Sequence, residues 1–181
     1  MHTPDTQPYP VDTTVHELGA SERLMLMTLR LWAMPHHSPH KQCPDWRTGL
    51  YQCGAGDQAC VAMDALMNIL LSYSERLMDV RCTCNTRLGI DEGCFLQMLA
   101  MLQDNRHQAA QAILADWVPL PVQGMAVLCA IHLAEALRRA EVLIPLFSRQ
   151  PAQVFRFEEF RFRRLQQADD ACATRSGHRL H

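Results

Sequence analysis

The chain has 181 residues, 17 Lys and Arg against 19 Asp and Glu, a net charge of −2, a pI near 6.5 and a hydrophobic fraction of 48%. That balance lacks the basic footprint of a nucleic-acid-binding protein, and it is too apolar for a chain disordered throughout. A chain this long buries about 70% of its unfolded surface, so one domain can form without a metal or disulfide framework.

Residues 1–12, with Pro4, Pro8 and Pro10, read as a disordered lead-in with neither the basic stretch nor the apolar run of a secretory signal. The longest apolar run, Gly124 to Ile131, stops at His132 and Glu135, well short of the ~20 residues a bilayer span needs. No membrane association is expected. The eight Cys fall below the roughly 8–10% of a disulfide scaffold, which points to a reducing cytoplasm and mostly free thiols.

From Thr13 the sequence predicts a first helix, with Val15, Leu18, Met25, Leu29 and Trp32 on one face and His16, Arg23 and Arg30 on another. Leu24, Met27 and Leu31 widen the apolar face as in a central helix. Pro35 and Pro39 are expected to end it. Met34 to Gly56, broken by Pro35, Pro39, Pro44, Gly49, Gly54 and Gly56 and with no sustained period, reads as a long irregular loop. A second helix follows from Asp57 to about Leu77, with Met63, Leu66, Leu70 and Tyr73 inward. Asp79 to Thr86 alternates like a short extended segment. A third helix is predicted from Asp91 to Asp104, burying Phe95, Met98, Leu99 and Leu102, and a fourth from Arg106 to Trp117, halted by Pro119 and Pro121. The fifth spans about Val122 to Leu143, its first half assigned to the core. The expected fold is all-α: a compact bundle of about five helices over residues 13–150, joined to a C-terminal arm over 151–181.

The loop between the first two helices carries His36, His37, His40, Cys43, Cys53 and Cys60. Imidazole and thiolate are ligands for zinc or iron, and His37, His40, Cys43 and Cys53 form the candidate metal set. No second close Cys pair completes the site, so a solvated His-rich loop is the competing reading. Cys82 and Cys84, with Cys94 nearby, form a second group, a redox pair or half of a thiolate site. Gly54-x-Gly56-x-x-Ala59 has the form of a dinucleotide turn, but no strand is predicted before it, so it reads as a flexible helix entry. His132 and Glu135 lie one turn apart, yet no Glu has His three residues on, which excludes a di-iron carboxylate bundle. Nucleophile-elbow, phosphate-loop and zinc-protease motifs are missing, so no catalytic constellation is assigned.

The arm holds six Arg against four acids, a local +2 that leaves −4 on residues 1–150. Phe155, Phe157, Phe160 and Phe162, interleaved with Arg161, Arg163 and Arg164, are the side-chain types that interface cores favour. The leading expectation is a non-catalytic, cytoplasmic interaction or regulatory protein whose partner is another protein or its own copy. The alternative is a metal- or thiol-dependent sensor or accessory protein using the His36 to Cys60 loop and the Cys82, Cys84 and Cys94 group.

Overall fold

The computed structural model of the protein describes residues 9–10, 12–37, 44–74 and 76–147. These form an all-α bundle of six helices: α1 (Ala20–His37), α2 (Arg47–Gln52), α3 (Gly56–Tyr73), α4 (Ile90–Gln103), α5 (His107–Ala115) and α6 (Leu120–Arg139). No strand occurs among the described residues; Thr14 and Arg87 make one isolated antiparallel bridge. The arm residues Phe155 to Arg164 lie outside the described residues, as do His40 and Cys43.

α4 is the centre. Every residue from Asp91 to Ala100 is buried, and α1, α5 and α6 all pack against it. The run Phe95-Leu-Gln-Met-Leu-Ala-Met-Leu102 explains this, because a helix that is apolar all round must be enclosed all round. The sequence reading gave the central position to the first helix and a one-sided face to this one; the structure reverses that. α3 lies along α6, and Arg139 Nη1 donates to Gln58 Oε1 at 3.0 Å, so the start of α3 meets the end of α6.

Glutamates decide where two helices begin. The Gly19 N–H donates to Glu22 Oε2 at 2.6 Å, and the Gly89 N–H donates to Glu92 Oε2 at 2.7 Å. In each, a carboxylate three residues into the helix satisfies the N–H of the residue before it, half of a capping box. The first helix therefore starts at Ala20 rather than Thr13, and Val15–Glu17 form a separate 3-10 turn. Tyr9, expected in the lead-in, is buried and donates its hydroxyl to Glu22 Oε1 at 2.6 Å.

Pro35 sits inside α1 rather than ending it. The helix runs on to His37, and the His36 ring lies against Trp32 with centroids 4.8 Å apart, a contact of i,i+4 neighbours. Within the expected loop, Arg47–Gln52 forms the short helix α2, burying Leu50.

The fifth predicted helix is altered at both ends. α6 ends at Arg139, the backbone of Glu141 takes φ 59°, and residues 142–147 belong to no helix. Val142 and Ile144 are buried while Leu143 and Pro145 are exposed, the two-residue alternation of extended chain. Two α4 side chains read this backbone as a neighbouring strand would. Gln103 donates to Val142 O at 2.8 Å and accepts from Ile144 N–H at 2.9 Å, and Gln97 accepts from Phe147 N–H at 3.1 Å. The burial of α6 is also inverted: Leu133, Ala134, Ala136 and Leu137 in its second half are buried, whereas its first half exposes Leu120, Met125 and Leu128.

Candidate functional site

The most elaborate polar construction surrounds Arg30, which the heptad spacing had placed on a polar surface. It is 1% exposed and faces Glu92, which is 0% exposed. Arg30 Nε donates to Glu92 Oε1 at 2.7 Å and Nη2 to Glu92 Oε2 at 2.8 Å, a bidentate pair. Arg30 Nη1 also reaches Asn85 O at 2.6 Å and Nη2 reaches Arg87 O at 2.8 Å. Glu92 in turn accepts from the Arg81 N–H at 2.9 Å as well as from Gly89. The pair thus ties down both ends of a turn, residues 81–87, that no helix holds.

Cys82 and Cys84 sit in that turn and are joined as a disulfide, with Cα atoms 5.4 Å apart, inside the usual range for the bond. Both residues are exposed. Cys94, grouped with them by sequence, is buried in α4, and burial, with the nearby Asp91 charge, pushes its thiol up to about 11. It is a core side chain.

A second network lies one residue before Glu92. Arg76 grips Asp91 through both Nη atoms at 2.7 Å, the Asp79 N–H donates at 2.7 Å, and the Trp117 indole donates at 3.2 Å. Burial works to raise the Asp91 carboxyl, but the Arg76 and Asp79 hydrogen bonds, the Arg76 charge and the Trp117 indole outweigh it and hold it below the ordinary carboxylate range.

Beside the 76–80 segment is a cleft of about 110 Å³ walled by Trp32, Ala33, Met67, Leu70 and Met78, with His36, Leu71 and Leu77 at its rim. Ser74 lines it, and its Oγ is buried without a hydrogen-bond partner. A second depression, of about 430 Å³, lies among Tyr9, Thr13, Glu17, Glu22 and Phe147. Its polar groups are already engaged: Tyr9 with Glu22, Thr13 with Pro10 O, and Glu17 with Thr14.

The metal set is not assembled from what is described. His37 is the last residue of α1, and Cys53 is half-buried at the end of α2 with its thiol donating to Leu50 O at 3.2 Å. Among the described residues no three His, Cys, Asp or Glu side chains converge on a point that could hold a metal. Cys60 is buried, and that burial raises its thiol. Gly54 and Gly56 have φ 84° and 64°, so their role at the α2–α3 corner is left-handed backbone, which glycine adopts without penalty. His132 is exposed on α6, and Glu135 pairs with Arg139 at 3.4 Å.

The exposed side of α6 is the remaining feature. Leu120 is 78%, Met125 50% and Leu128 57% exposed, and at 100° per residue they fall within an arc of about 140° that also contains Gly124. By length and composition this helix could cross a membrane; its other side packs on α3, α4 and α5. Sequence reasoning missed the stripe because an uncharged run was equated with the core. No protein-family model matches the chain, and no curated protein and no solved structure is significantly similar to it.

Proposed function

We propose that the protein is a non-catalytic cytoplasmic interaction or regulatory module that self-associates through the exposed half of α6. The observation that carries this reading is the stripe Leu120, Met125 and Leu128, set in a stretch from Leu120 to Ala134 that contains no Asp, Glu, Lys or Arg. Covering a Leu or Met side chain fully is worth roughly 1.5–3 kcal/mol, so such a stripe favours a state in which it is shared. A two-fold pairing uses the same patch on both copies and needs no second protein. Gly124, with open space where a side chain would stand, permits close approach of two helices, and Glu135, Arg138 and Arg139 continue the same face two to three turns beyond Leu128.

Light-scattering mass of the intact chain as a function of concentration, beside the double variant Met125→Glu/Leu128→Glu, tests this. A dimer mass that drops to the monomer in the variant is expected. A wild-type monomer at every concentration, or a variant that keeps the dimer mass, overturns it. Partition of the wild type onto lipid vesicles would assign the stripe to a membrane surface and overturn it equally.

A second reading, a thiol-dependent sensor, is favoured by the exposed Cys82–Cys84 bridge. An external dithiol would reduce that bond to two thiols while its own sulfurs became a disulfide. Its metal form, with zinc or iron on His37, His40, Cys43 and Cys53, depends on two positions outside the described residues. Metal content and a thiol count on protein purified under reducing conditions separate the two forms. About one metal per chain, with Cys43 and Cys53 protected from alkylation, supports the metal form.

A further inference from the structure

We propose that the cleft between the C-terminal ends of α1 and α3 and the segment Arg76 to Val80 binds a small, uncharged aromatic or short aliphatic molecule carrying one hydroxyl. None of its walls comes from α6, so the site stands independently of the self-association proposed above.

Size sets the first limit. The cleft is about 110 Å³, and an apolar cavity of ~150 Å³ accepts a benzene ring, so a ligand here is near one ring in bulk. The walls set the second. Trp32, Ala33, Met67 and Leu70 are buried and Met78 is half-buried, which offers apolar carbon and polarisable sulfur to the body of a ligand. Entry is open, because Leu71 and Leu77 at the rim are 50% and 89% exposed.

The polar group follows from Ser74. Its Oγ is, among the described residues, the one buried side-chain oxygen or nitrogen with no hydrogen-bond partner. A buried hydroxyl left unmatched is costly, and native structures usually satisfy such groups. A lone water is a poor answer, since water needs two to four polar partners and four of the walls are hydrocarbon or thioether. A hydroxyl attached to an apolar body meets both demands at once. Charge sets the last limit. Arg76 is the cation at the cleft, but its guanidinium is committed to Asp91 through both terminal nitrogens. Among the described lining residues the other basic group is His36 at the rim, whose ring lies against Trp32, so a carboxylate finds no uncommitted guanidinium or ammonium there and the site fits a neutral head group.

The test uses the intact chain labelled at methionine methyls, with phenol and toluene as probes. Phenol is expected to shift the Met67 and Met78 methyl resonances saturably and to leave those of Met98 and Met125 in place. Ser74→Ala, which removes an unpartnered oxygen and should not disturb folding, is expected to weaken phenol binding about threefold to tenfold. Toluene, which has no hydroxyl, should bind wild type and variant alike. Absence of saturable shifts with both probes overturns the site, as do shifts of equal size at Met125. Equal phenol affinity in wild type and Ser74→Ala overturns the assignment of a hydroxyl-bearing ligand.

Discussion

Exchanging Arg30 and Glu92 together for Met and Leu separates two roles of a buried ion pair. If the two side chains only neutralise each other, apolar replacement is neutral or stabilising by ~1–4 kcal/mol, as for simple buried pairs. Here each partner also serves the backbone: Arg30 holds the Asn85 and Arg87 carbonyls, and Glu92 holds the Arg81 and Gly89 N–H groups. The double variant strands those four groups. At ~1–3 kcal/mol for each one that stays dry, the loss begins at about 4 kcal/mol and exceeds the recovery in the middle of both ranges. At the middle of both ranges, ~8 kcal/mol lost against ~2.5 recovered, the double variant is expected to be about 5 kcal/mol less stable than wild type. The single change Glu92→Gln, which leaves Arg30 charged and unopposed, should cost ~3–5 kcal/mol. Urea unfolding followed by helical circular dichroism measures both, with a midpoint shift of about 2 M for a 4 kcal/mol loss at a slope near 2 kcal/mol/M. Hydrogen exchange at the Arg81 and Gly89 amides should accelerate in the double variant more than exchange across α4. A double variant as stable as wild type would refute the claim that the pair exists to hold the 81–89 backbone.

Four further outcomes can be measured. Gly89→Ala places a Cβ 2.8 Å from the Asp79 carbonyl oxygen, so it should destabilise by ~1–3 kcal/mol, measurable in the same urea titration; an unchanged midpoint would mean that contact relaxes freely. Leu96→Ala in the enclosed α4, where Leu96 is fully buried, should cost ~2–5 kcal/mol, and a loss under 1 kcal/mol would show that α4 is not the centre. The Asp91 carboxyl titrates below its ordinary range, so its stabilising effect is complete above the unfolded value of about 3.9 and disappears as pH falls through the lower folded one. Asp91→Asn should therefore show a flatter decline of urea midpoint between neutral and strongly acid pH than wild type, and parallel declines would count against it. Deleting residues 151–181, the arm expected from sequence to engage a partner, should leave helical content and the α6-dependent dimer mass intact while altering partner capture; loss of the helical signal would place the arm in the folding unit.

How much was legible in the sequence can be seen at particular residues. Periodicity located α3, α4 and α5 because Met63, Leu66 and Leu70, or Ala110 and Leu114, repeat with the helical turn wherever they pack. Cys82 and Cys84 were legible as a close pair, a redox pair or half of a thiolate site, but the bond between them required the turn that sets their Cα atoms 5.4 Å apart. Ser74 had no signal: a lone serine at a helix end becomes a candidate only when its surroundings leave the oxygen unpartnered.

The sequence by itself determined an all-α chain, because hydrophobic spacing is a property of neighbours along the backbone and survives any arrangement of helices. Tertiary structure alone decided which apolar surfaces are covered. Arg30 looked like a surface residue until Glu92, 62 positions away, met it in the interior. The first half of α6 looked like core, yet no described element lies over Leu120, Met125 and Leu128. In both cases burial depends on what the far end of the chain brings near, and no local pattern carries that information.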